Sequence, residues 1–512
     1  MDPVIRTRQD AFDAVEAYSP AEQQFNRRRR TIGLFLGPAV LLAILLAPLE
    51  LPAPAHRLSA IMAMMFVFWV TEALPVAVTA ILGPTLAVIL RVAPAKEAYA
   101  PFADPIIFLF IGSFILAEAM YVHRLDRRIA YTALAGRATG GRPLRILVVF
   151  GAVAATLSMW ISNTASTAML YPIGLSIVTH LSRGHRGQAP LVRQFAMSLM
   201  LMVAFAASIG GVATPIGTPP NLIGLGMLRS LAGVHISFTQ WMLLGLPVAA
   251  VLFAVVAGWL AWTGRGAARL ATVGDSHVRD ELTALGPVTQ GERNVMLAFG
   301  VTVVLWVVPG IFALTGTAGS ALGRTYTAAV PESVAAMVGA VLLFLLPVDR
   351  RTKQPTILWE QAVRIDWGTI LLFGGGLSIG ALAFSTGLAE TLGRGLTGWL
   401  PTHSTLAYTT LFTALAIVLS ETTSNTAAAS MLVPVAIAVS QAAGISPIEP
   451  AVGATLGASM GFMLPISTPP NAIAYSSGYI PITSMMKYGI LLDLAGFVVI
   501  VCAVMLLAPI VF

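Results

Sequence analysis

Cysteine and charge are what this 512-residue chain has least of. Its single cysteine, Cys502, excludes an internal disulfide and a cysteine metal cluster. Charged residues make up only 10% of the chain, whereas soluble globular chains carry about 25%. So little charge cannot cover a water-facing surface, and lipid must be the solvent. The histidines, at 56, 123, 180, 185, 235, 277 and 403, fall in or near expected loops without ligand spacing, which gives a metalloenzyme little to stand on. What is abundant is apolar sequence. Hydrophobic residues account for 57% of the chain, and its mean hydropathy is +0.82. Runs at 31–49, 58–71, 240–262, 295–313, 334–347 and 487–511 hold few or no charges. Several approach the ~20 residues that a spanning helix needs.

The net charge of +7 could suggest a nucleic-acid partner, but its distribution argues against one. With the N-terminus inside and the spans alternating, 24 Lys/Arg fall on inside segments and six on outside segments. That asymmetry is the positive-inside rule, and it fixes orientation. The expectation is a multi-pass protein of a bacterial-type inner (plasma) membrane, with its N-terminus cytoplasmic and its C-terminus outside. Arg27–Arg30 would anchor the N-terminal segment, 1–30, on the cytoplasmic side. A signal-peptide reading of the same arginines lacks a small-residue cleavage site.

Hydropathy places spans at 31–49, 57–72, 75–92, 104–133, 195–232, 240–263, 294–313, 332–347, 367–390, 450–480 and 487–511, with re-entrant hairpins at 147–178 and 408–440. The fold expected is therefore an all-α polytopic membrane protein of about eleven transmembrane helices plus two re-entrant hairpins. A polar stretch, 264–293, reads as a cytoplasmic linker between a first half, 31–263, and a second half, 294–512.

The halves repeat each other. Ser158-Met-Trp-Ile-Ser162-Asn163-Thr164-Ala165, then Met169-Leu170 and Pro172, matches Ser420-Glu-Thr-Thr-Ser424-Asn425-Thr426-Ala427, then Met431-Leu432 and Pro434, always 262 residues on. Pro215-Ile-Gly-Thr218-Pro219-Pro220-Asn221 matches Pro465-Ile-Ser-Thr468-Pro469-Pro470-Asn471, 250 residues on. Phe110-Ile-Gly112 matches Phe373-Gly-Gly375, 263 residues on. An odd number of crossings between the copies makes them inverted repeats, the pattern of many secondary transporters.

Each copy sets polar groups inside apolar sequence. Ser-Asn-Thr before a helix-compatible run reads as an N-cap at a hairpin tip. Thr-Pro-Pro-Asn must break a helix, because two prolines remove two donors and clash with the preceding turn. Broken backbone at membrane depth survives only where protein buries it or where it lines a cavity. The broken helices expected are 195–232 and 450–480. Two tips and two breaks would meet at one central site. Half-helix N-termini there would suit carboxylate oxygens, while hydroxyls, amides and freed carbonyls would suit a cation. No Lys or Arg occurs in the four motif segments, and a buried dianion needs countercharge. Co-bound sodium would supply it. Helix packing is the competing reading of such Ser, Thr and Asn residues, and it weakens when four motifs share one inverted register. A catalytic constellation is not expected, since the motifs hold no Cys and no His–acid pair. Among other polar residues, Glu72 reads as a span-end cap and Trp160 as packing, while Glu118 and Asp493 are lone intramembrane acids open to proton chemistry.

The doubled Ser-Asn-Thr motif, Thr214-Pro-Ile-Gly-Thr-Pro-Pro-Asn221, Ser467-Thr-Pro-Pro-Asn471 and Trp69-Val-Thr-Glu72-Ala-Leu-Pro75 resemble the divalent anion/sodium symporter family over about residues 30–512. This is the INDY-type family of dicarboxylate, citrate and sulfate transporters. The resemblance implies a homodimer in the bilayer, with a scaffold domain and a moving transport domain that work as an elevator. It implies sodium-coupled uptake of a small dianionic carboxylate such as succinate, malate or fumarate. Sodium-independent dicarboxylate exchange, or transport of citrate or sulfate, are the alternatives. Sodium is the one cofactor implied, as a co-transported ion. Its first site would use Ser158, Ser162, Asn163 and Gly217, and its second Ser420, Thr423, Asn425 and Ser467. Substrate would meet Ser162, Asn163, Thr164, Thr218, Ser424, Asn425, Thr426, Thr468 and Pro469. Ser420 stands where the family commonly has Thr and Ser467 where it commonly has Ala, and both still offer a hydroxyl or a carbonyl.

Overall fold

The structure is a computed structural model that describes residues 20–136, 140, 142–184, 188–269, 276–349, 351–399 and 403–512. Most of the expected N-terminal segment, His185 and Arg186 of a basic loop, and Asp275 of the linker lie outside those residues.

Helices dominate. In chain order they are α1 (Pro20–Leu46), α2 (Ala53–Thr71), α3 (Val76–Ile89), α4 (Ala95–Tyr99), α5 (Pro105–Val122), α6 (Leu125–Leu134), α7 (Pro143–Ser158), α8 (Asn163–Gly184), α9 (Ala189–Val212), α10 (Pro219–Ala232), α11 (Phe238–Thr263), α12 (Ser276–Ala284), α13 (Gln290–Leu314), α14 (Ala321–Ala329), α15 (Glu332–Leu345), α16 (Trp359–Ala362), α17 (Trp367–Ser385), α18 (Leu388–Trp399), α19 (Thr405–Thr422), α20 (Asn425–Ala442), α21 (Ile448–Gly457), α22 (Pro469–Tyr475) and α23 (Ile482–Val511). One small antiparallel hairpin, β1 (Pro347–Asp349) with β2 (Gln354–Pro355), interrupts them. Among the described residues ten helices are long and apolar enough to cross a membrane, or up to eleven if α14 and α15, bent by 60°, form one span.

Local chemistry starts and stops these helices. Ser237 with Gln240 and Thr289 with Glu292 form capping boxes before α11 and α13, each satisfying two otherwise orphaned backbone donors. Asp104 and Asp366 accept backbone N–H bonds at the starts of α5 and α17. Glu72 does end α2. It takes a left-handed conformation at φ 49° and pairs with Arg29 at 2.6 Å. The span expected at 104–133 is two elements. Arg124, left-handed at φ 55°, breaks it, and α6 beyond is a short helix with Leu125, Asp126, Ala130 and Leu134 buried, Ile129 exposed and Arg128 held against Glu292 at 2.6 Å. Hydropathy averaged over the whole stretch hides that amphipathic turn.

Burial sorts the bundle. The α9 window is 94% buried and the α1 window 11%, so α9 is the axis and α1 the rim. Against α9 pack α7, α8, α11 and α22. The second half has the same plan, with α21 against α19, α20 and α23. Between the halves the packing is reciprocal: α10 lies on α20, and α22 lies on α8. Each helix that follows a Pro-Pro break therefore rests on the hairpin arm of the other repeat.

Candidate functional site

The segments expected as hairpins are each a pair of helices that turn at Ser-Asn-Thr. The first joins α7 to α8 through residues 159–162, and the second joins α19 to α20 through Thr423 and Ser424. Ser162 Oγ accepts the Ala165 N–H at 3.2 Å, and Ser424 Oγ accepts the Ala427 N–H at 3.2 Å. Each serine thus caps the inner arm, as the motif predicts. The caps leave the α8 and α20 N-termini, with their partial positive charge, at the tips.

Both Pro-Pro breaks also form. The chain leaves α9 at Val212 and re-enters helix at Pro219; it leaves α21 at Gly457 and re-enters at Pro469. The residues before the prolines have nearly the same backbone, Thr218 at φ −144°, ψ 142° and Thr468 at φ −144°, ψ 146°. Prolines at the first helical positions cost no hydrogen bond, since those N–H groups are orphaned anyway. The freed carbonyls upstream are taken by the motif's last residue. Asn221 Nδ2 donates to Gly211 O at 3.0 Å and Thr214 O at 2.7 Å. Asn471 Nδ2 donates to Gly461 O at 2.9 Å and Leu464 O at 3.0 Å. These two fully buried asparagines clasp the unwound segments. The sequence motif contains them but does not reveal that work.

Around each Asn of Ser-Asn-Thr, oxygens converge. One amide atom of Asn163 faces Ser158 Oγ at 2.6 Å, Ala207 O at 3.2 Å and Gly217 O at 3.3 Å. Turned nitrogen-first, the amide donates to all three. Turned oxygen-first, it accepts the Ser158 hydroxyl at 2.6 Å and faces two carbonyl oxygens, an oxygen set of the kind a cation takes. In the second copy Ser420 Oγ lies 2.7 Å from Asn425 Oδ1 and 2.8 Å from Ala458 O. Three of the four residues expected at the first ion site, Ser158, Asn163 and Gly217, are therefore in one cluster. Ser162 instead caps its helix and is exposed. At the second, Ser420 and Asn425 meet, but Thr423 Oγ turns back to Leu419 O at 3.0 Å, and Ser467 Oγ bonds Glu421 O at 3.1 Å and Glu421 Oε2 at 2.6 Å.

Burial separates the residues expected at the ions alone from those at the hairpin tips. Ser158, Gly217, Ser420, Thr423 and Ser467 are buried, whereas Asn163, Thr164, Ser424, Asn425 and Thr426 are half-buried and Pro469 is exposed. Thr218 and Thr468, expected near substrate, are buried, and Thr468 spends its hydroxyl accepting the Asn471 N–H.

Gly217 shows how tight the first cluster is. A Cβ there would lie 2.5 Å from Gly211 O and 2.9 Å from Ser158 O, both fixed backbone atoms. The second copy has Ser467 at that place. Gly217→Ser, though it copies the other repeat, is expected to destabilise the fold by about 1–3 kcal/mol through overpacking and to remove transport. Thermal melting and uptake check it; a stable, active variant would mean that residues 158, 211 and 217 do not pack this closely.

One expectation is corrected. Asp493 is not a lone acid: its carboxyl meets that of Glu421, and both are about 94% buried, at 6% exposure each. Glu421 lies inside the second motif, where the sequence alone gives it no role. An acid between apolar helix and hairpin tip was the available signal. Trp160 does pack, stacking near Phe238 with centroids 6.5 Å apart and meeting Phe299 edge-on at 5.3 Å.

Residues 28–512 match the family described as the sodium:sulfate symporter transmembrane region. A sodium-dependent dicarboxylate transporter, SdcS, of Staphylococcus saprophyticus is 34% identical over 486 residues, covering 93% of this chain and 91% of the relative. Its namesake in Staphylococcus aureus is 33% identical over 488 residues, covering 94% and 91%. Two solved structures share the fold at low identity. The Alcanivorax borkumensis YdaH transporter gives a TM-score of 0.55 at 13% identity over 88% of this chain and 98% of its own. Neisseria gonorrhoeae MtrF, from a class of antimetabolite efflux pumps, gives 0.52 at 11% over 90% and 97%.

Proposed function

The chain belongs to the sodium:sulfate symporter family of membrane transporters, and from that membership we propose that it couples sodium entry to uptake of a C4-dicarboxylate such as succinate, malate or fumarate. The observation that carries the reading is the paired oxygen clusters at Asn163 and Asn425, each buried directly behind an accessible Ser-Asn-Thr tip. Sodium ions in those clusters face the carboxylates of a substrate held between the tips. Ser162, Asn163, Thr164, Ser424, Asn425 and Thr426 supply the contacts. The relatives named for sodium-dependent dicarboxylate transport support both halves of the proposal.

Uptake of labelled succinate into proteoliposomes tests it. An inward sodium gradient is expected to drive accumulation that an equal potassium gradient does not, and malate and fumarate are expected to compete better than citrate or sulfate. Exchange that proceeds at the same rate without sodium would replace symport with antiport. Stronger competition by citrate or sulfate would reassign the substrate.

The proposal extends to the machine. The repeats are inverted across the bilayer, the chain works as an elevator in a homodimer, and the basic segments face the cytoplasm. A cysteine at Arg279, in a Cys502→Ser background, is expected to react only from the cytoplasmic side. Labelling by an impermeant reagent in intact cells would overturn that orientation.

A further inference from the structure

The two repeats differ where their outer helices cross the unwound segments. On α11, Gly245 sits where a Cβ would meet Val212 O at 2.7 Å and Ala213 O at 2.9 Å. On α23, Gly489 sits where a Cβ would meet the backbone of Phe462 and Met463, the same positions 250 residues on. Both helices thus press glycine onto the break, and their buried faces superpose at a spacing of 244 residues: Gly245 with Gly489, Val248 with Leu492, Ala249 with Asp493, Leu252 with Gly496. Asp493 stands in the place of Ala249. Glu421, 262 residues after Met159, stands in the place of a methionine. The first copy therefore builds this crossing from two apolar side chains, and the second from two acids.

The architecture does not require those acids. Burying them is costly unless they are paired. Glu421 accepts the Met463 N–H at 2.8 Å on Oε1 and the Ser467 hydroxyl at 2.6 Å on Oε2. Asp493 receives nothing: neither oxygen has a hydrogen-bond donor, and the Phe462 N–H lies nearby without closing a bond. Among the described residues no ion pair reaches either acid. Two buried carboxyls that face each other are held together by a shared proton or by a cation. Both groups and Ser467 Oγ offer the hard oxygens that an alkali ion takes.

We propose that Glu421 and Asp493 hold a third sodium ion, beside the second-repeat site, which enters with the substrate. The inference rests on the sodium-symport reading above. Its electrostatic consequence is direct. One sodium at Asn425 next to two carboxylates leaves that side net negative, which opposes a dianion. A second sodium between the carboxylates removes the opposition, so filling the pair favours substrate. Ser467, shared between the Glu421 carboxyl and the break, connects the two places. The first repeat, with Met159 and Ala249, holds one ion.

The test is the ratio of labelled sodium to labelled succinate entering proteoliposomes, with the membrane current measured alongside. The native protein is expected to move three sodium ions per succinate and a net positive charge. Asp493→Asn, which keeps the side chain's shape, and the double variant Glu421→Met/Asp493→Ala, which copies the first repeat, are each expected to lower the ratio to two and abolish the current. The double variant guards against misfolding, since the first repeat packs those residues at the same crossing. A native ratio of two with sodium-driven uptake intact overturns the third site and leaves symport standing. A ratio of three that survives both variants also overturns it. A current carried by protons, following pH and not sodium, overturns sodium as the occupant. Absence of any sodium-driven uptake by the native protein sinks the symport reading instead.

Discussion

Asn163→Ala and Asn425→Ala are each expected to reduce sodium-driven uptake to background while the protein still folds and purifies as the native form does. Each carboxamide sits in an oxygen cluster, with Ser158 Oγ 2.6 Å from Asn163 and Ser420 Oγ 2.7 Å from Asn425. Each also stands at a half-buried tip, between the ion ligands behind and the space in front. Removing it takes one ligand from the ion and one donor from the anion. A hydrogen bond to a charged group is worth about 1.5–3 kcal/mol, or roughly 10–100-fold in affinity. Losing two coupled ligands should therefore exceed the range over which uptake can be measured. Helix packing, the rival role, makes a different forecast. Under it Asn163→Ala would lower the melting temperature and leave ion dependence unchanged. Asn221 and Asn471 provide the contrast. They are fully buried and bond only backbone carbonyls of their own break. Asn221→Ala strands those carbonyls, at about 1–3 kcal/mol each, and so should act on stability first. Near-native uptake by Asn163→Ala or Asn425→Ala would return that motif to packing.

The contrast also marks how far the sequence could be read. Hairpin tips and helix breaks were legible because Ser-Asn-Thr and Thr-Pro-Pro-Asn act locally. A cap forms within three residues, and proline breaks a helix wherever it falls. The second amide of each break was visible as a letter but not as a clasp, because its partners are set by where the unwound chain turns. The Arg124 break went unread because an average over apolar residues cannot see one left-handed residue. The Glu421–Asp493 meeting was least legible. The two are 72 residues apart, and they meet because α19 and α23 pack against each other. Each acid looked alone because side-chain neighbours across a helix crossing leave no period in the sequence.

Sodium is expected to strengthen succinate binding to the purified protein by about 5–150-fold over choline at equal ionic strength, the span of ordinary coupling free energies. The argument begins with what the site lacks. The four motif segments contain no Lys or Arg, while the proposed ligand carries two negative charges. The helix termini at the tips contribute about half a unit of positive charge each at best, and the serine that caps each tip already takes one N–H. Partial charges of that size do not neutralise a dianion taken out of water. Cations must organise the site first. An ion biases a site only through unequal affinity for its states, so the oxygen cluster at Asn163 has to be better formed with substrate than without. By linkage, succinate then tightens sodium by the same factor. Ser162→Ala and Ser424→Ala should weaken this coupling more than they weaken the fold, since each costs one cap of about 1 kcal/mol and also one hydroxyl at the tip. Titration calorimetry in the two salts measures the coupling directly. Equal affinities would mean that some group outside the motifs supplies the countercharge, and the ion clusters would lose their part in recognising the anion.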